Sequence, residues 1–123
     1  MTIRDVMNAV NGVCLAGDSQ LDAPVETACG SDLMSDVLAF VKEKTVLITG
    51  LINPQVIRTA EMLDIECIVF SRGKCPGDEI LDMAREIGIT VLASPMTTYT
   101  ICGELYLRGL PGSKAKTGAE RRT

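Results

Sequence analysis

Residues 45–108 repeat one pattern three times. A short apolar run leads into a polar loop, and apolar positions spaced three and four apart follow. The runs are TVLIT (45–49), ECIVF (66–70) and ITVLA (89–93). Their length and β-branched content read as buried strands. Between them, Val56, Ile57, Ala60 and Leu63 form one helical face, and Ile80, Leu81, Ala84 and Ile87 form another. Asn53-Pro54 is a helix start, with Asn as cap and Pro in the first turn. Asp78 opens the next helix, and Gly88 closes it in the position glycine favours. A last helix is expected from about Thr97 to Arg108, stopping at Gly109.

The upstream half is weaker in signal. Ile3, Val6, Met7 and Val10 predict an amphipathic helix over 2–10, ended by Asn11-Gly12. VCLA (13–16) and VETAC (25–29) read as short strands. Ser31 or Asp32 is the expected cap of a further helix with Leu33, Val37, Leu38 and Val41 on one face.

Continuous apolar strands alternating with helices imply an α/β fold, a largely parallel sheet covered on both faces. Right-handed crossovers place the strand carboxyl ends on one edge. Those ends carry TGLINP, SRGKCPG and SPMTTYT. Open parallel sheets bind ligands at that edge.

Composition narrows the chemistry. The chain has 123 residues and no histidine, which removes the commonest general base and transition-metal ligand. The five cysteines, at 14, 29, 67, 75 and 102, form no CxxC pair, so neither a disulfide framework nor a zinc site is expected. Four read as small core residues, and Cys75, in the polar SRGKCPGD, reads as exposed and open to a redox-sensor role. Net charge is −4, with +3 on the tail 111–123 and −7 on the rest. An acidic, aromatic-poor body speaks against nucleic-acid binding. The absence of a long apolar run speaks against a membrane span, and a cytoplasmic protein is expected. Domain organisation reads as one domain over 1–110 followed by a basic, disordered tail over 111–123.

The chain has neither GxxxxGK[ST] nor GxGxxG, so the usual machinery of phosphoryl transfer and dinucleotide binding is missing. Anion binding stays open. Helix starts near Asn53, Asp78 and Thr97 present free N–H groups, and Arg72 and Lys74 add charge. The cluster Thr97, Thr98, Tyr99, Thr100 is either a set of pocket hydroxyls or an ordinary helix cap. Asp32 and Asp36, four apart, are a candidate acid pair on one helix face.

The stretch VLITGLINPQVIRTAEMLDIECIVFSRGKCPGDEILDMAREIGITVLASPMTTYTICGEL resembles the DRTGG domain, and NAVNGVCLAGDSQLDAPVETACGSDLMSDVLAFV resembles the first half of its short stand-alone members. The resemblance covers about residues 2–110. The family's Asp-Arg falls near Ile52-Asn53, its Thr-Gly-Gly on Ser71-Arg72-Gly73, and its closing Asp-Thr-Phe-Thr on Thr97-Thr98-Tyr99-Thr100. Gly73, Thr98, Tyr99 and Thr100 keep the pattern in kind, whereas Ile52, Asn53 and Arg72 depart from it.

This resemblance implies a three-layer α/β/α sandwich similar to the N-terminal domain of HPr kinase/phosphorylase, and a domain that self-associates. It also implies a non-catalytic regulatory or ligand-binding module without cofactor or metal. Such a module senses a small anionic or nucleotide-like metabolite, or docks on a metabolic or hydrogenase-related enzyme. The expected ligand-binding residues are Gly50, Asn53, Ser71, Arg72, Gly73, Ser94, Thr98, Tyr99 and Thr100. The alternative is a phosphate-handling enzyme using Asp32 or Asp36 with Arg72.

Overall fold

The computed structural model describes residues 1–41 and 44–112. The expected tail begins at 111. Its residues 113–123 lie outside the described residues, while Pro111 and Gly112 run beside the second strand, with Ala28 N–H donating to Pro111 O at 2.9 Å.

The chain forms α1 (Ile3–Ala9), β1 (Val13–Ala16), a 3-10 turn (Asp18–Gln20), β2 (Thr27–Gly30) and α2 (Met34–Phe40). It continues as β3 (Thr45–Thr49), α3 (Pro54–Met62), β4 (Cys67–Phe70), α4 (Asp78–Ile87), β5 (Thr90–Ala93) and α5 (Thr98–Leu107). The sheet order is β1-β5-β4-β3-β2. Strands β2 to β5 pair in parallel, and β1 adds antiparallel to β5. The sheet is therefore largely parallel, as the apolar runs imply.

Strand alternation divides the core in two. Leu47, Ile68, Phe70 and Val91 meet α2, α3 and α4 on one face. Val46, Ile48, Cys67, Val69 and Leu92 meet α1 and α5 on the other. Both faces are buried, which is why these strands read as unbroken apolar runs. The result is a three-layer α/β/α fold.

Most starts and stops follow local chemistry. Thr2 and Asp5 form a reciprocal capping box on α1. Asn53 Oδ1 accepts from Gln55 N–H at 2.9 Å, and Pro54 opens α3. Gly88 leaves α4 at φ +94°, a conformation free of Cβ strain for glycine.

Three expectations need correction. Asp32 and Ser31 do not cap α2, because its cap is Leu33, with no side-chain bond. Packing on the sheet and α3 turns Met34 and Val37 inward, while Leu33 and Leu38 are exposed. On α4, which starts at Asp78 as expected, Ile87 in the last turn is exposed instead of buried.

Helix α5 is apolar on more than one side. Ile101 and Leu105 are fully buried, but Tyr99, Tyr106 and Leu107 are 88%, 72% and 80% exposed. Among the described residues no helix is long and apolar enough to cross a membrane.

Candidate functional site

Parallel pairing brings the carboxyl ends of β2, β3, β4 and β5 to one edge. The loops after β3, β4 and β5 feed the N-termini of α3, α4 and α5, so free N–H groups and positive dipole ends share that edge. The α4 terminus has no side-chain cap, and Asp78 and Glu79 sit in its first turn.

The loop after β4 is a tight turn. Lys74 N–H donates to Ser71 O at 3.3 Å, and both central residues have positive φ, +62° at Arg72 and +68° at Gly73. Such a pair marks the type I′ geometry. Arg72 thus stands in a left-handed conformation that glycine adopts more cheaply. The turn is tied to the loop after β5, with Arg72 N–H donating to Met96 O (2.7 Å) and Gly73 N–H to Ser94 O (2.8 Å). Between the same loops, the Ser71 and Thr98 hydroxyls lie 2.7 Å apart and share one hydrogen bond.

Arg72 lies back over β3. Its Nη2 donates weakly to Gly50 O at 3.4 Å, and a Cβ on Gly50 would sit 2.6 Å from that same nitrogen. Gly50 is therefore the space in which the guanidinium rests.

Asp32 comes to the same place from β2. The register Gly30↔Ile48 sets residue 32 beside the end of β3. Asp32 Oδ1 accepts from the Gly50 N–H at 2.7 Å and from the Thr49 hydroxyl at 2.9 Å. The Gly50 amide, the Thr49 hydroxyl and the nearby charges of Arg72 and Lys74 hold its carboxyl below the usual carboxylate range, against a smaller opposing effect of partial burial. Asp36 is exposed on α2. Because Asp32 precedes that helix in a bend, the expected acid pair on one helix face is not formed.

The pKa direction fixes a pH dependence. A carboxyl with a depressed folded pKa stabilises above its unfolded value, about 3.9, and loses that contribution as pH falls through the folded value. Asp32→Ala is expected to lower stability at pH 7 and to approach the parent chain as pH falls below the unfolded value and through the depressed folded one. Urea unfolding of both chains at each pH checks this. A gap that does not narrow as acid is added until the domain itself unfolds would assign the effect to something other than the ionised carboxylate.

The hydroxyls predicted from the sequence divide into two groups. Ser94 is fully buried, donating to Val10 O at 2.6 Å and accepting from Met96 N–H at 3.2 Å, so it joins α1 to the sheet. Thr97 caps α5, accepting from Thr100 N–H at 3.4 Å and donating to the Thr100 hydroxyl at 3.1 Å. Ser71 and Thr98 bridge the two loops. Asn53 is spent as the α3 cap. Tyr99 and Thr100 face solvent. Gly50, Ser71, Arg72, Gly73 and Thr98 are thus drawn into one neighbourhood, together with Asp32 and Lys74, which the sequence marked for acid chemistry and for charge, and with Thr49, which it did not mark.

Cys75 is exposed, and burial raises the thiols of Cys14, Cys29, Cys67 and Cys102. Among the described residues no three His, Cys, Asp or Glu side chains are placed to hold a metal ion.

The sequence matches the DRTGG domain over residues 5–106. The chain belongs to the DRTGG domain family. A solved structure of the CBS and DRTGG domains of the regulatory region of Clostridium perfringens pyrophosphatase, complexed with the activator diadenosine tetraphosphate, is similar in fold. The TM-score is 0.73 and the sequence identity 15%, over 94% of this chain and 51% of that one. The chain therefore spans about half the length of that structure. No curated protein matches. Within the DRTGG pattern, Gly73 keeps the positive φ that a turn glycine allows, whereas Arg72 takes the same backbone with a charged side chain. Ile52, at the place of the family's Asp-Arg, packs against the core under α3.

Proposed function

We propose that this DRTGG domain is a non-catalytic regulatory module that binds a small anionic, nucleotide-like ligand at the carboxyl edge of its sheet. The observation that carries the reading is the Arg72 turn. A strained backbone presents a guanidinium beside Lys74 and three helix N-termini, and strain of this kind is kept where a side chain must be aimed. Asp32 fixes the floor by holding the Gly50 amide and Thr49 hydroxyl. Ser71 and Thr98 share one hydrogen bond, so one hydroxyl hydrogen remains for a ligand. The structurally similar regulatory region, itself part of an enzyme and complexed with a nucleotide activator, supports the ligand class and an output exerted on a metabolic or redox enzyme.

The exposed apolar side of α5 suits self-association as a homodimer. Tyr99, Tyr106 and Leu107 would otherwise leave large side chains in water.

A thermal-shift titration with ATP, diadenosine tetraphosphate, AMP and inorganic pyrophosphate tests the reading. A ligand at 100 times its Kd stabilises by about 2.7 kcal/mol, a shift of several degrees. Arg72→Ala is expected to remove the shift while leaving the domain folded. Absence of any shift across the panel defeats the small-molecule reading. Turnover of ATP or a phosphoester that Asp32→Asn abolishes would defeat the non-catalytic one.

A further inference from the structure

The outer edge of β2 is already occupied at its start. Thr27 N–H donates to Lys44 O at 3.4 Å and Ser31 N–H to Ile48 O at 3.0 Å, so alternate residues of β2 bond inward to β3. Ala28 and Gly30 therefore turn their backbone groups outward. Ala28 has a partner there. Its N–H donates to Pro111 O at 2.9 Å, and it bridges Gly112 in parallel. Gly30, the next outward residue, is exposed.

A parallel ladder advances one residue on each strand at a time. With Ala28 opposite Gly112, Gly30 falls opposite residue 114, which is Lys114. The sequence suits that course. Residues 113–117 read Ser-Lys-Ala-Lys-Thr, small or hydroxylated and cationic by turns. A period of two is the strand period, and lysine is a common guard of open sheet edges. Charge agrees, because the basic segment runs toward the exposed carboxylates of Asp32 and Asp36.

The register also sets the face. A Cβ on Gly30 would lie 2.7 Å from Cys102 Sγ and 3.8 Å from Thr98 Cγ2, so Gly30 faces the start of α5. Residues opposite one another in a parallel ladder project to the same side of the sheet. Lys114 on this register stands beside Thr98, whose hydroxyl bonds Ser71, the residue before Arg72. We propose that residues 113–115 extend the sheet along β2, and that Lys114 thereby becomes a ligand-binding residue, its ammonium joining Arg72 and Lys74 around the anion. The ligand role rests on the anion reading of this edge; the pairing on β2 does not.

Amide hydrogen exchange at Gly30, read by NMR on the full chain, tests the pairing. The Gly30 amide is expected to exchange at least about tenfold more slowly than in a chain ended after Gly112, roughly what one or two net hydrogen bonds supply. Ala115→Pro removes the N–H that the register aims at Gly30 O and should abolish the difference, whereas Ala115→Val should keep it. Equal exchange in the full and shortened chains overturns the proposal, and protection that instead rises with protein concentration gives the edge to a second copy. Calorimetric titration with ATP and inorganic pyrophosphate tests the ligand role. Lys114→Gln is expected to weaken binding about fivefold, near the upper range of an exposed ion pair, and Lys114→Arg to restore it. If Arg72→Ala weakens binding and Lys114→Gln does not, the ligand role of Lys114 is overturned while the anion reading stands. If neither probe binds the parent chain, the anion reading fails and the ligand role falls with it, and exchange at Gly30 still decides the pairing.

Discussion

Gly17→Ala is expected to unfold the domain more readily by about 2–4 kcal/mol, combining left-handed strain with forced backbone movement. At φ +78° an added Cβ would lie 2.7 Å from Thr90 Cα and 2.6 Å from Thr90 Oγ1. The neighbour is backbone at the start of β5, which cannot swing aside as a side chain would. Set against a typical total stability of about 5–15 kcal/mol, the loss should appear as a fall in Tm of about 10 °C or more. Gly103→Ala is the control. Gly103 lies inside α5 with no heavy atom within 4 Å of a new Cβ, so alanine there should stabilise by about 1 kcal/mol. Thermal unfolding of both variants checks the pair. Equal effects at the two glycines would refute the account of the Gly17 turn.

Arg72→Gly is expected to raise stability and remove anion binding together. Glycine relieves a left-handed φ that costs a side-chain-bearing residue about 1–2 kcal/mol, and part of that gain is offset by greater freedom in the unfolded chain. The bond given up, to Gly50 O at 3.4 Å, is long and weak. A net gain of about 0.5–1 kcal/mol, or a few degrees in Tm, follows. The turn itself survives, because the backbone bonds to Met96 O and Ser94 O do not depend on the side chain. A fall in Tm would mean that the guanidinium contributes more to folding through Gly50 and Asp32 than its backbone costs. Undiminished ATP or pyrophosphate binding would place the anion away from this loop.

The strands β3, β4 and β5 were readable because burial on both faces leaves no polar alternation to confuse the signal. Asn53-Pro54 and Gly88 carried the helix ends because capping is local chemistry. Two things were not readable. Leu33, Leu38, Met34 and Val37 fit a helical period in more than one phase, and only the packing of α2 on Leu47 and Ile57 decides which phase is buried. Nor did VCLA contain the direction of β1, since four apolar residues pair equally well either way. Asp32 was marked as an acid to act with Arg72, but its task of holding the end of β3 was hidden for a related reason. Its partners Thr49 and Gly50 are neighbours only through the parallel register of β2 and β3, which sequence spacing does not encode. The threonine cluster was half readable. Capping accounts for Thr97, while Thr98 has a different task, bridging to Ser71 across two loops.

The antiparallel seat of β1 has a consequence for biosynthesis. Val13 pairs with Ala93, and α1 rests on the same core as Ile101 and Leu105. Strand β1 therefore has no strand partner until β5, late in the domain, has been made. At about 5–20 residues per second, that leaves β1 waiting on the order of ten seconds. Strands β2, β3 and β4 pair with near neighbours in the chain and can assemble meanwhile. Strand β1 is thus seated late, and its pairing with β5, long in sequence, is of the non-local kind that slows folding.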